Sequence, residues 1–174
     1  MNNIILIGMP AVGKSTIGVV VAKRLGFEFV DTDLLIQKQE ECLLKEIIKQ
    51  RGIEGFLAVE NQVNRDLDME HAVIAPGGSV VYCSEAMEHY KKIGMVVYLK
   101  APFEIIEKRI TDMQDRGVVL QDGQTLRMLY DEREKLFEKY EDVTIEEESS
   151  LEKTIEKVLE IMNKEVLKND LINQ

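Results

Sequence analysis

Gly8-Met9-Pro10-Ala11-Val12-Gly13-Lys14-Ser15-Thr16 is the stretch that decides the fold of this 174-residue chain. The apolar run Asn3-Ile4-Ile5-Leu6-Ile7 comes directly before it, and apolar residues at helical spacing follow it. Two glycines separated by four residues and followed by Lys-Ser, between a buried strand and a helix, form the pattern of a phosphate-binding loop. The sequence therefore predicts a nucleotide-phosphate site at a strand-to-helix turn.

The residue types in this loop explain why phosphate binds there. Gly8 and Gly13 allow backbone angles that direct successive amides inward around an anion, and the N-terminus of the next helix adds its unpaired amides. We expect Lys14 to reach the outer phosphates and Ser15 to ligate Mg²⁺. The alternative is a glycine-rich turn that binds nothing, which the flanking strand and helix disfavour. The residues expected to hold the nucleotide are Gly8, Ala11, Val12, Gly13, Lys14, Ser15 and Thr16.

Composition indicates which classes of partner and which cellular compartment to expect for this protein. The chain has 22 Lys and Arg against 32 Asp and Glu, a net charge of −10, which argues against a nucleic-acid partner because phosphate backbones reward clustered cations. No apolar run approaches membrane-spanning length, so we expect no membrane partner. Cys42 and Cys83 are too few for a disulfide framework, which favours a cytoplasmic location. We expect a monomer that acts on a small molecule.

Strand and helix patterns alternate along the whole chain. After the first strand, further strands are predicted at 27–30, 72–75, 94–99 and 142–145, with helices between them. The charge-rich helical region from Leu43 to Leu67 is predicted to break near Gly52 and Gly55. The polar, glycine-containing segment 112–124 is a candidate mobile lid. This order predicts a single α/β domain over residues 1–174, with a parallel sheet covered by helices on both faces.

Two carboxylates follow the second predicted strand. Asp31 and Asp33 stand at its carboxyl end, where ligands bind in open α/β sheets. Asp31 is a candidate to hold Mg²⁺ directly or through water. The alternative for this pair is capping of the next helix, a place that suits aspartate. Capping and chemistry can coexist, and the position at a strand end favours a ligand.

The ordered set of motifs resembles the shikimate kinase family of P-loop kinases. The match covers nearly the whole chain, and the order and spacing of its motifs make it specific. Its parts are the loop 8–16, Asp31-Thr32-Asp33, Gly55-Phe56 with Glu60, Ala75-Pro76-Gly77-Gly78-Ser79-Val80, Arg116, and Arg133 leading to Tyr140 and Asp142-Val143-Thr144-Ile145. The resemblance implies a P-loop three-layer sandwich with a five-stranded parallel sheet and a closing lid. It also implies ATP-dependent phosphorylation of a small hydroxylated acid.

The same resemblance implies roles on the acceptor side of the site. Asp33 would grip the acceptor hydroxyls and act as the base, and Gly77 and Gly78 would present backbone amides to the acceptor. Arg133 would pair with the acceptor carboxylate. The alternatives are a plain turn at the two glycines and a surface ion pair for Arg133, whose sequence neighbours include several acids.

On the donor side, two arginines resemble family residues. Arg116 would fold over the phosphates as the lid closes and so take part in catalysis with Lys14 and Asp33. Arg109 would lie against the adenine ring. The alternatives are an exposed lid arginine without a partner and a solvated helix arginine.

The chain also departs from the family pattern. Leu57 stands where a second carboxylate-binding arginine is usual, and Glu60 matches the acid that holds that arginine. Two smaller departures are Pro76, where the family commonly has another glycine, and Gly117, where proline is usual. Loss of one charge-assisted hydrogen bond to the acceptor carboxylate weakens binding by roughly 1.5–3 kcal/mol, which is about 10- to 150-fold in affinity or rate. Arg51, Arg65 or a lysine could replace the missing arginine.

Three hypotheses follow from Leu57. The chain is a shikimate kinase with a rebuilt clamp, a kinase of another small alcohol, or a nucleotide-binding sensor that no longer turns over. Shikimate, converted to shikimate 3-phosphate, is the leading acceptor because every residue needed for the transfer itself is present. A nucleoside monophosphate kinase is disfavoured because such enzymes need more acceptor-side arginines.

Overall fold

The computed structural model describes residues 3–112, 123–147 and 150–172, with side chains apart from those of 111–112 and 165–172. Strands and helices alternate, as the sequence predicts. The strands are β1 Asn3–Ile7, β2 Glu28–Asp31, β3 Ala72–Ala75, β4 Gly94–Lys100 and β5 Val143–Glu146. The helices are α1 Lys14–Leu25, α2 Thr32–Glu40, α3 Leu44–Arg65, α4 Ser84–Ile93, α5 Phe103–Asp112, α6 Leu126–Tyr140 and α7 Leu151–Ile172. A short 3₁₀ helix covers Val80–Tyr82.

The five strands form one parallel sheet in the order β2-β3-β1-β4-β5. Strand β1 is central and buried along its whole length, and its Ile5 is in register with Ile74 of β3 and Val96 of β4. Because all strands run the same way, their carboxyl ends meet at one edge of the sheet. That edge carries the loop after β1, the turn into α2 after β2 and the glycine turn after β3.

Helices complete a three-layer α/β sandwich, which confirms the predicted fold class. Helix α1 packs against α7, while α3 packs against α2 and α4. The core is built from the strands and the apolar faces of these helices, including the fully buried Tyr90, Tyr98 and Phe137. No helix within the described ranges is both long and apolar enough to span a bilayer.

The helical region before β3 differs from its prediction at one of two glycines. Gly52 leaves the helical conformation with φ 71°, as predicted. Gly55 stays helical, so the predicted break there is wrong. A Cβ at Gly55 would lie 2.5 Å from Cβ of Arg51, so this glycine allows a close approach instead of a break.

Candidate active site

The loop between β1 and α1 has the backbone of a phosphate cradle. Gly8 has φ 148°, and a Cβ there would lie 2.5 Å from the carbonyl oxygen of Leu99. Gly13 has φ 102° and precedes α1 without a side-chain capping bond. The first amides of α1 are therefore left for an anion. The backbone requires glycine at both positions, as the sequence predicts, and Ala11 between them also has a positive φ of 65°.

Lys14 is held over this loop by two backbone carbonyl groups. Its Nζ donates to the carbonyl oxygens of Gly8 at 2.9 Å and Met9 at 3.1 Å. Burial lowers the pKa of Lys14 to about 8; Arg133 also lowers it, whereas Asp33, Asp31 and Glu60 raise it. A bound phosphate would add negative charge and favour the charged ammonium.

Ser15 and Asp31 bring two hard oxygen groups together. The Ser15 hydroxyl donates to Oδ2 of Asp31 at 3.0 Å, and Oδ1 of the same carboxylate accepts from the Asp33 amide at 3.1 Å. This second bond caps α2, so the capping alternative is correct for Asp31. One hydroxyl and one carboxylate suit Mg²⁺, which takes few protein ligands and completes its shell with phosphate and water.

Asp33, Gly77 and Glu60 lie close together next to the phosphate-binding loop. A Cβ built on Gly77 would lie 2.9 Å from Oδ1 of Asp33 and 2.7 Å from Oε1 of Glu60. A Cβ on the adjacent Gly78 would lie 2.8 Å from Cδ of Pro10 in the phosphate-binding loop. The glycine turn therefore lies between the loop and the two carboxylates, where a larger side chain would displace Pro10 or one of the carboxylates.

Arg133 is buried in this same region. It is 7% exposed, its guanidinium lies 5.4 Å from the ring centre of Tyr82, and its Nε has no hydrogen-bond partner among the described residues. The surface ion-pair alternative is wrong for Arg133; it fits Arg127, whose Nε pairs with Asp131 at 2.9 Å. A buried guanidinium with an unused donor can bind a carboxylate.

Arg109 lies beside the loop and is not simply solvated. It donates to the carbonyl oxygen of Ala11 at 3.4 Å and forms an ion pair with Glu147. Glu147 follows β5 directly, and the sequence gives no signal that singles it out. Arg116, and all but the ends of the predicted lid at 112–124, lie outside the described residues.

Glu60 on α3 is a buried carboxylate beside Gly77. It is 0% exposed, and neither carboxylate oxygen has a well-formed hydrogen bond within the described part of the chain. Burial is the main cause that raises its pKa to about 7. Leu57, one turn earlier on α3, packs as an apolar residue against the core.

Arg51 and Arg65, the two arginines suggested as a second site for the acceptor carboxylate, form ion pairs with other acids. Arg51 pairs with Glu40 at 2.5 Å, and Arg65 pairs with Glu85 at 3.1 Å and with Asp66 at 2.9 Å. Both arginine side chains are largely exposed. The hypothesis that either one replaces the missing arginine has no support in the structure.

Known proteins share this arrangement over most of the chain. Residues 10–163 match the family model described as shikimate kinase. A shikimate kinase of Clostridium botulinum (strain Loch Maree / Type A3) is 38% identical over 143 residues, which cover 80% of this chain and 84% of that protein. A shikimate kinase of Aquifex aeolicus (strain VF5) is 31% identical over 157 residues, covering 90% of this chain and 93% of that protein.

A solved structure extends the similarity to the fold. Shikimate kinase from Acinetobacter baumannii in complex with shikimate superimposes with a TM-score of 0.87 at 29% identity, covering 95% of this chain and 94% of that one. The family match, the identity to curated relatives and the shared fold agree with the phosphate-binding loop and the carboxylates beside it. The chain belongs to the shikimate kinase family.

Proposed function

We propose that this protein transfers the terminal phosphoryl group of ATP to a hydroxyl of shikimate. The observation that carries the proposal is the position of the Asp33 carboxylate beside Gly77, on a turn whose next residue, Gly78, packs against Pro10 of the phosphate-binding loop. This contact brings a base and a phosphate cradle to the same edge of the sheet. Family membership supports the choice of shikimate as acceptor.

Each residue has a distinct role in the transfer. The Asp33 carboxylate takes the hydroxyl proton as the acceptor oxygen bonds to phosphorus and the bond to the ADP oxygen breaks. Lys14 stabilises the charge on the phosphates, and Arg133 pairs with the acceptor carboxylate. Ser15 and Asp31 would hold Mg²⁺, which neutralises phosphate charge when bound. Two roles stay predictions: Arg109 against the adenine ring of ATP, and Arg116 over its phosphates.

A second candidate function follows from Leu57. Leu57 is apolar where an arginine would bind a carboxylate, which favours an acceptor with less negative charge than shikimate kinases usually bind. Such an acceptor would be another small alcohol. A sensor without turnover is disfavoured because both Lys14 and Asp33 are present in the site. The two kinase hypotheses share the donor half of the site and differ only at the acceptor.

An assay of ADP release distinguishes these candidates. Purified protein with Mg·ATP is tested against shikimate, other polyhydroxy acids and nucleoside monophosphates, with Asp33→Asn as a control. Turnover with shikimate at tens per second supports the proposal. Turnover only with another acceptor supports the second candidate, and silence on the whole panel with ATP still bound supports a sensor.

We also propose that the chain acts as a single-domain cytoplasmic monomer. Both cysteines, the half-buried Cys42 and the buried Cys83, are free, which fits a reducing compartment. Size-exclusion chromatography with light scattering tests the monomer, since a dimer would double the measured mass.

A further inference from the structure

Glu60 is a buried carboxylate that the proposed phosphoryl transfer does not use. It lies on α3 three residues after Leu57, so the two side chains share one side of the helix. The position that could supply a cation to Glu60 therefore holds an apolar side chain. None of the ion pairs among the described side chains includes Glu60. Neither of its oxygens has a well-formed hydrogen bond to a described residue, although the Ser79 hydroxyl lies close enough to lower its pKa.

The groups that face Glu60 come from every element packed around it. Lys14 belongs to the phosphate-binding loop, Asp33 to α2, Ser79 to the turn after β3, and Arg133 to α6. Cys83 lies directly before α4, and Tyr90 lies on it. Burial is the main cause that raises the pKa values of both side chains, and the negative charge of Glu60 raises them further. Asp33 is a neighbour of Glu60, because a Cβ built on Gly77 would lie 2.9 Å from Oδ1 of Asp33 and 2.7 Å from Oε1 of Glu60.

Burial opposes the charged form of Glu60. A carboxylate removed from water is costly unless it is paired and hydrogen-bonded. Burial first and then Asp33 raise the pKa of Glu60 to about 7, although the Ser79 hydroxyl, Arg133 and Lys14 each lower it. Lys14 also interacts electrostatically with Asp33 and Asp31 and is expected to bind the phosphates, so its charge is not dedicated to Glu60. Arg133 is expected to bind the carboxylate of the acceptor.

We propose that Glu60 carries a proton when the acceptor binds. Because neutral Glu60 does not attract Arg133, the charge of Arg133 stays available for an anionic acceptor. This matters here because the apolar Leu57 supplies no second cation. The proposal rests on the proposed function, since it needs an acceptor with a carboxylate. Glu60 is a positioning residue here: it is fully buried and acts through Arg133.

Proton uptake follows from this arrangement. An acceptor carboxylate beside Arg133 adds negative charge near Glu60 and offsets the cation that favoured its ionised form. Above pH 7, where free Glu60 is increasingly ionised, acceptor binding must draw a proton from solution. The KM for the acceptor therefore rises with pH, by up to about tenfold per pH unit above the pKa of Glu60.

Calorimetry with the intact protein and shikimate tests the proposal without turnover. Binding is measured at pH 8 in buffers of different ionisation enthalpy, which gives the number of protons taken up. We expect uptake approaching one proton in the wild type and much less in Glu60→Gln, which keeps the shape but does not titrate. Leu57→Arg supplies a cation one turn from Glu60 and should also abolish uptake. Uptake that persists in Glu60→Gln belongs to another group, such as Lys14, and overturns the proposal.

Further outcomes separate this inference from the proposed function. Shikimate turnover with no proton uptake and a KM that is flat from pH 6 to 9 overturns the inference and leaves the function intact. No binding or turnover of shikimate at any pH overturns both. If Glu60→Gln does not fold, the carboxyl carbon resonance of Glu60 is titrated in the wild type by NMR, with and without shikimate. A midpoint that rises on binding supports the proposal, and one that does not move overturns it.

Discussion

The carboxylates of Asp33 and Glu60 both lie beside Gly77. A methyl group on the Cα of Gly77 would lie 2.9 Å from the Asp33 oxygen and 2.7 Å from the Glu60 oxygen. The two oxygens are therefore no farther apart than the sum of these distances. One carboxylate follows β2 and the other comes from α3, so the glycine after β3 is what lets them meet.

Gly77→Ala should damage the acceptor half of the site. Because its methyl group cannot fit between two carboxylate oxygens, one of them must move, and a displacement of this kind lowers kcat/KM for shikimate by about 100-fold. The KM for ATP should change less than about twofold, since the phosphate-binding loop is untouched. Steady-state kinetics in both substrates measure the two effects.

Gly26→Ala is the matched control for that variant. Gly26 has φ 70°, and its Cβ would meet nothing within 4 Å. Alanine there should cost about 1 kcal/mol of folding stability through backbone strain and leave the shikimate kinetics unchanged. Equal loss of activity in the two glycine variants would mean that Gly77 acts only through stability.

Asp31→Asn should weaken the response to magnesium. The substitution keeps a good helix cap but removes the charge beside Ser15, so the Mg²⁺ concentration for half-maximal activity should rise about 10- to 100-fold. A thermal midpoint close to that of the wild type would show that the α2 cap survives. An unchanged Mg²⁺ requirement would remove Asp31 from the metal site.

Leu57→Arg should lower the KM for shikimate. A second charge-assisted bond to the acceptor carboxylate is worth about 1.5–3 kcal/mol, which corresponds to about 10- to 150-fold. Leu57→Met, which keeps an apolar side chain of similar volume, is the control and should change the KM less than about twofold. A higher KM in Leu57→Arg would show that this pocket is shaped for a different acceptor.

Glu60→Gln should stabilise the protein at high pH. The pKa of Glu60 is raised from 4.5 to about 7 in the folded state, so its favourable contribution is complete below pH 4.5 and is lost as pH rises through 7. The unfolding free energy of Glu60→Gln relative to wild type should increase by about 3 kcal/mol between pH 4.5 and 8. Urea unfolding at several pH values measures this difference.

The exposed Glu88 on α4 offers the control for that series. Glu88→Gln removes an exposed carboxylate, so urea unfolding of this variant over the same pH range is the reference for Glu60→Gln. A Glu60→Gln difference that does not change with pH would show that folding does not raise the pKa of Glu60.

The sequence was sufficient for the parts of the site that follow from local pattern and strand order. The loop around Lys14 is a contiguous motif, and Asp31 and Gly77 follow adjacent parallel strands, so their meeting at one edge is a property of the topology. Local pattern did not predict the burial of Arg133, because its acidic sequence neighbours suggest a surface position; only the family resemblance assigned it to the site. Glu60 and Glu147 also depend on packing between elements distant in sequence, which periodicity does not encode.

Direct identification of the product is the measurement closest to the central claim. Wild-type protein, Mg·ATP and shikimate are incubated, and the product is identified by mass spectrometry and phosphorus NMR, with Asp33→Asn in parallel. We expect one phosphate ester on a shikimate hydroxyl for each ADP formed, and a rate at least about 100-fold lower in Asp33→Asn with ATP binding retained. ADP formed without a shikimate phosphate ester, or an undiminished rate in Asp33→Asn, would contradict the proposed function.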